Sequence, residues 1–141
     1  MVSIHTTPLD PASVLAAVST SQSGGIDMFV GTVRDHSAGR SVKGIEYTAY
    51  VPMAEKLMAE IEHDVRNQWS VDNIILLHRI GLLSVGEVAV VTAVAATHRN
   101  EAFAACRYAI DRIKSIVPIW KREIYEDQFA SAASQPGHHS S

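Results

Sequence analysis

The segment "IKSIVPIWKRE", residues 113–123, sets two amines beside apolar side chains. Lys114 and Lys121 flank Ile116, Val117, Ile119 and Trp120, and Pro118 interrupts the run. An ammonium near apolar surface loses part of its hydration, which suits it to proton transfer, nucleophilic attack or charge neutralisation. By residue type alone, two solvated lysines at the end of a buried helix are the commoner arrangement. A second signal is "THRNEAF", residues 97–103, where His98 and Arg99 stand between an apolar strand and a helix. The first N–H groups of a helix are unpaired and partly positive, so an imidazole and a guanidinium there make an anion site suited to phosphate. A solvated Arg99 and a His98 that merely closes the loop fit the same residues.

Other basic side chains are weaker candidates. Arg34 ends a strand just before a polar loop, as an anion contact or as a solvated strand end. Arg40 and Lys43 within that loop can close over a charged ligand or simply keep it soluble. Arg107, Asp111 and Lys114 share one helix face at steps of four and three, so Asp111 can pair with either base. Cys106 falls inside an apolar stripe and reads as a core residue rather than a nucleophile.

These residues need elements to hold them. "DPASVLAAVS" predicts a helix capped by Asp10, with Pro11 in its first turn. "IDMFVGTVR", 26–34, reads as a strand, "DHSAGRSVKG", 35–44, as a mobile polar loop, and "IEYTAY" as a second strand. After Pro52 a helix follows, with Ala54, Leu57, Met58, Ile61, Val65 and Trp69 on the face that packs on a sheet. "NIILLHRIG" is a third strand, and "EVAVVTAVAA" is a long apolar strand covered on both faces. The next helix spans about 100–116, with Ala102, Phe103, Cys106, Ala109, Ile110, Ile113 and Val117 buried. Pro118 stops it, and "IWKREIY" continues extended. The pattern is α+β in a single domain, residues 1–130, and the tail, residues 131–141, is low in apolar content and expected to be disordered.

Composition narrows the function classes. The 141 residues are 47% hydrophobic and 19% charged, with a net charge of −3, which argues against a general nucleic-acid binder. A single cysteine excludes an intramolecular disulfide and fits a reducing compartment, so a cytoplasmic location is expected. No run is long and apolar enough to span a membrane, and the first residues show no secretory signal. There is no G-x-G-x-x-G, P-loop or paired C-x-x-C, and His36, His78 and His98 lack metal-ligand spacing. Neither a metal nor a nucleotide cofactor is expected.

Five segments together resemble the large, catalytic subunit of molybdopterin synthase: "FVGTVRDHSAG", "YVPMAEKLMAEI", "HRIGLLSVGE", "THRNEAFAAC" and "IDRIKSIVPIWKRE". They keep the family's order over roughly residues 25–124. One departure is Thr48, where the family often has glutamate. The resemblance implies an α/β hammerhead-type fold with an additional antiparallel β subdomain. It also implies conversion of cyclic pyranopterin monophosphate to the dithiolene of molybdopterin. The sulfur would arrive as a C-terminal Gly-Gly thiocarboxylate on a small ubiquitin-like subunit whose tail enters a pocket. Large subunits would pair as a homodimer within a heterotetramer, with the pocket near the dimer interface. By motif, Lys114 and Lys121 would be catalytic, and Arg34, His98 and Arg99 would bind substrate. The other readings of the residues are a non-catalytic anion-binding regulatory module and a scaffold that docks a partner.

Overall fold

The computed structural model describes residues 1–127 and 139–140, organised as two sheets and three helices. The first sheet has the order β1-β5-β7-β2: β1 (Val2–His5), β5 (Asn73–Arg79), β7 (Val88–Ala96) and β2 (Gly25–Thr32). β1 runs parallel to β5, and the other neighbours are antiparallel. The second sheet is antiparallel and joins β3 (His36–Ser37), β4 (Arg40–Ala49), β8 (Ile119–Tyr125) and β9 (His139–Ser140), with β6 (Gly81–Ser84) also paired to β4. This is the expected α+β class, and the second sheet is the additional antiparallel subdomain.

The apolar runs of β5 and β7 serve two cores. Ile74, Leu76 and Val94 pack under α2 (Val51–Gln68) and α3 (Arg99–Ile116). Ile75, Leu77, Val91, Ala93 and Ala95 pack on the other face against Val14 and Val18 of α1 (Pro11–Val18). With both faces covered, neither strand needs polar alternation. Asp10 caps α1 by accepting from Ala12 N at 3.1 Å and from Ser13 Oγ at 2.8 Å. The α2 stripe is buried at Ala54, Met58, Ile61 and Val65 and half-buried at Leu57 and Trp69.

Three expectations need correction. Residues 35–44 are a hairpin, not a loop: Ala38 and Gly39 both have positive φ, 51° and 77°, which closes a two-residue turn between Ser37 and Arg40. Phe103 is 55% exposed, because it lies at the margin of the α3 stripe, which centres on Cys106 and Ala109 and takes in Ala105 instead. β1 and β6 were not anticipated as strands. The tail from Ser131 lies outside the described residues except His139–Ser140, which pair with β8.

Candidate functional site

The two lysines reach one place from different elements. Lys114 sits in the last turn of α3, and Val117 ends the helix in an extended conformation. Pro118 has no N–H to continue the helix, and Ile119 begins β8. β8 then pairs with β4 so that Tyr47 lies opposite Lys121, Ile45 opposite Glu123 and Thr48 opposite Trp120. Successive strand residues face opposite ways, so Lys121 and Glu123 share one face with Tyr47 and Ile45. Trp120 has the opposite parity to Lys121 on β8, is 47% exposed and lies at the edge of the cleft described next.

A cleft of about 340 Å³ follows from this turn. Its walls include Ile110, Ile113 and Lys114 of α3, the 115–119 turn, Lys121, Tyr47, Val90 and His78. A second hollow of about 310 Å³ shares Tyr47, Val90, Lys114 and Lys121 and adds Arg34, His36, Gly31 and Glu123. The two hollows adjoin, and both lysines line each of them. Lys121 is half-buried, but Lys114 is exposed, so only one of the two amines sits within apolar surroundings. Asp111, one helical turn back, pairs with Arg107 at 3.8 Å and leaves Lys114 facing the cleft.

Arg34 is brought to this site by the end of β2. Val33 N donates to Glu87 O at 3.1 Å, and Gly86 N donates to Val33 O at 2.8 Å, pinning the chain just before Arg34. The 84–87 turn is itself held by Glu87, which accepts from Ser84 N at 2.7 Å and from Arg79 at 2.9 Å. These two contacts hold the Glu87 carboxyl below the usual range, the Ser84 amide contributing most.

Arg40 and Lys43 do not reach the cleft. Arg40 makes a bidentate pair with Asp127 at 2.7 and 2.9 Å and stacks over the Tyr125 ring at 3.6 Å. Lys43 pairs with Glu126 at 4.0 Å. Both clamp the hairpin to the end of β8. Thr48 lies on the outer face of β4 and is exposed.

His98 and Arg99 stand at the other end of α3. Both are exposed, and His98 occupies the N-cap position without a side-chain capping bond. At about 1.5 Å per residue, Lys114 lies roughly 22 Å further along the helix axis. Within one chain, the pair cannot share a small pocket with the lysines.

The cleft also holds polar residues that the sequence concealed. His78 is only 7% exposed, and its Nδ1–H donates to Arg79 O at 2.8 Å. Burial pushes its pKa down to about 4, with the Lys114 charge adding to the effect. Tyr47 meets its ring edge-on at 5.1 Å and 72°. Burial, and next the Glu123 carboxylate, raise the Tyr47 pKa. Glu123 itself is buried at 7% exposure. His78 lies in an apolar strand and reads as core from pattern alone, whereas Tyr47 and Glu123 read as ordinary members of mixed strands. The available signal was parity, since Lys121, Glu123 and Tyr125 must share a face of β8.

Cys106 is remote from this chemistry. It is 2% exposed, contacts the Thr92 hydroxyl at 3.4 Å, and has its pKa raised by burial, as a core thiol should. Among the described residues, no group of three or more His, Cys, Asp or Glu is arranged to hold a metal ion. No helix among them is long and apolar enough to cross a membrane.

Comparison with known proteins gives a consistent answer. The molybdopterin synthase catalytic subunit of Bacillus subtilis (strain 168) is 44% identical over 124 residues, 88% of this chain and 79% of that protein. The Homo sapiens protein of the same name is 46% identical over 104 residues, 74% of this chain and 55% of its own length. A crystal structure of molybdopterin synthase from Staphylococcus aureus superposes with a TM-score of 0.87 at 36% identity, covering 98% of this chain and 95% of that one. The profile described as "MoaE protein" matches residues 4–116, from within β1 to the end of α3 and short of β8. On that match and those relatives, the chain belongs to the MoaE protein family.

Proposed function

We propose that this protein is the catalytic subunit of a molybdopterin synthase. In this reading it transfers sulfur from the C-terminal thiocarboxylate of a small ubiquitin-like partner to cyclic pyranopterin monophosphate. The observation that carries the proposal is the convergence of Lys114, Lys121 and Arg34, from α3, β8 and the end of β2, on one open cleft. Three cations along an apolar-walled groove suit two anionic guests, an extended thiocarboxylate tail and a pterin phosphate. Family membership selects this guest pair over a generic anion.

Each delivery breaks the acyl carbon–sulfur bond of the thiocarboxylate and forms a carbon–sulfur bond on the pterin in place of a carbon–oxygen bond, whose oxygen leaves as water or stays with the phosphate. Water restores the acyl carbon to a carboxylate, and two deliveries make the dithiolene. Lys121, half-buried and facing Tyr47, is the amine we assign next to the acyl carbon. It either takes up the acyl group transiently or carries a proton. Lys114 and Arg34 neutralise the charge of the sulfur donor and the phosphate.

His98 and Arg99 enter the scheme only from a second copy. Their distance along α3 from Lys114 leaves no intramolecular route, so we assign them to the cleft of a neighbouring subunit in a homodimer. That supplies the phosphate with a helix N-terminus as well as an imidazole and a guanidinium. The cytoplasm, where the lone cysteine stays reduced, is the compartment we assign.

The test uses purified components: this chain, the thiocarboxylated small subunit and cyclic pyranopterin monophosphate. Dithiolene formation that depends on all three is the expected result. A folded chain that binds both guests yet forms no dithiolene would leave only an anion-binding or scaffolding role.

A further inference from the structure

The buried histidine of the cleft is not used by the chemistry above, and its geometry is unusually constrained. His78 has the same parity on β5 as Ile74 and Leu76, so it faces the side of the sheet covered by α2 and α3. Its partner across the ladder, Val90, also lines the cleft. The carbonyl of Arg79 can only accept, so the 2.8 Å contact places the proton on Nδ1. In the neutral ring, Nε2 then carries a bare lone pair. The Tyr47 ring, edge-on at 5.1 Å, stops the imidazole from turning away. The charged and titratable groups around the ring are Lys114 from α3, Lys121 from β8 and Tyr47 from β4, with Glu123 beyond Tyr47.

We propose that His78 is a positioning residue for the sulfur-transfer site: the two groups line one cleft without bonding in the side-chain arrangement of this structure, and when the Lys114 ammonium turns inward the fixed Nε2 lone pair accepts its hydrogen bond and holds the amine over the cleft. This deepens the reading given under the proposed function and rests on it. Lys114 is otherwise an exposed side chain with four rotatable bonds, and Asp111, its natural helix partner, is engaged by Arg107. A neutral acceptor suits this task better than a carboxylate. It orients the ammonium without cancelling the charge that the thiocarboxylate and phosphate need. Burial keeps the ring neutral, with a pKa near 4, so the acceptor persists at neutral pH.

Two isosteric variants separate orientation from mere packing. In His78→Gln the side-chain oxygen falls where Nε2 stood and keeps the acceptor. In His78→Asn the amide falls where Nδ1 stood, keeps the donor to Arg79 O and loses the acceptor. With both guests saturating, His78→Asn should transfer sulfur about tenfold slower or worse, the scale of one charge-assisted hydrogen bond, with the KM for pterin little changed. His78→Gln should stay within about threefold of the parent, since it removes no transition-state contact. Equal losses in both variants, or none in His78→Asn, would overturn the proposal.

A second measurement needs no turnover. In protein labelled with ¹⁵N-histidine, His78 should show a protonated Nδ1 and a bare Nε2 at neutral pH, and Lys114→Met should raise its titration midpoint. An unmoved midpoint in Lys114→Met sinks the contact, whether or not the variants fold well enough for kinetics. Failure of the parent chain to transfer sulfur counts against the proposed function alone and leaves this measurement standing.

Discussion

The separation of the two cationic sets along α3 yields the sharpest prediction. Arg99 and Lys114 are roughly 22 Å apart along the axis at about 1.5 Å per residue, several times the reach of a side chain. If each cleft is completed by a second copy, the two sets can be broken on different chains. Lys121→Arg keeps the charge but removes the nucleophile or proton carrier, so its homodimer should turn over about a hundredfold slower or worse. Arg99→Ala removes a charge-assisted contact to phosphate, weakening pterin binding by about 1.5–3 kcal/mol. At pterin well below saturation, that loss is about ten- to a hundredfold in rate. In a mixed dimer, one cleft carries both defects and the other carries neither, because the Arg99→Ala chain keeps Lys121 and borrows Arg99 from its partner. Random pairing makes about half the dimers mixed, each with one intact cleft of two, so the mixture should recover about a quarter of the parental rate. Differently tagged chains, refolded together and separated, allow the mixed species to be assayed for dithiolene formation alone. If purified mixed dimers are no faster than either parent variant, Arg99 and Lys121 do not serve a shared cleft across two copies, and the assignment falls.

Three further outcomes are expected. Lys121→Arg should fold, dimerise and bind the small subunit as the parent does, and near-parental turnover by that variant would reduce the lysine to a point charge. Cys106→Ala should lose about 1 kcal/mol or more in urea unfolding through lost packing while keeping sulfur transfer, whereas a stable but inactive variant would show that the thiol takes part. His78 imposes a pH dependence on stability. Its folded pKa of about 4 lies below the ordinary 6.5, so the unfolded chain binds the proton first. Stability from this group is complete above pH 6.5 and lost as pH falls toward 4, by about 2–3 kcal/mol between pH 7.5 and 4.5. Subtracting the urea-unfolding profile of His78→Gln from that of the parent isolates this term, and identical profiles would contradict it.

Much of this molecule can be read from local chemistry. Asp10 and Pro11 mark α1 because a cap and a preset φ act within one turn. The ends of α3 follow from a polar break at His98 and from Pro118. The double-sided burial of β7 follows from its unbroken apolar run. Motif order was enough to nominate Lys114, Lys121 and Arg34, and all three line the same site. The 22 Å between Arg99 and Lys114 was also available, since helix rise is a constant, and it separates residues that motif matching groups together.

What local pattern could not supply was partnership. β1 and β6 are four residues each, too short to show a period, and they exist because β5 and β4 offer them open edges. Residues 35–44 are polar enough for a loop, yet Asp127 and Tyr125, more than eighty positions away, hold Arg40 and with it the hairpin. His78 looks like an isolated polar residue in an apolar strand, and Tyr47 and Glu123 like ordinary members of mixed strands. They become a site only where the β4–β8 register and the Pro118 turn bring three separate segments against the end of α3. Spacing along a chain governs what one helix or strand can do, because its hydrogen bonds close within a few residues. A cleft is made by pairings between distant segments, whose free energy appears only once the chain has closed the loops between them.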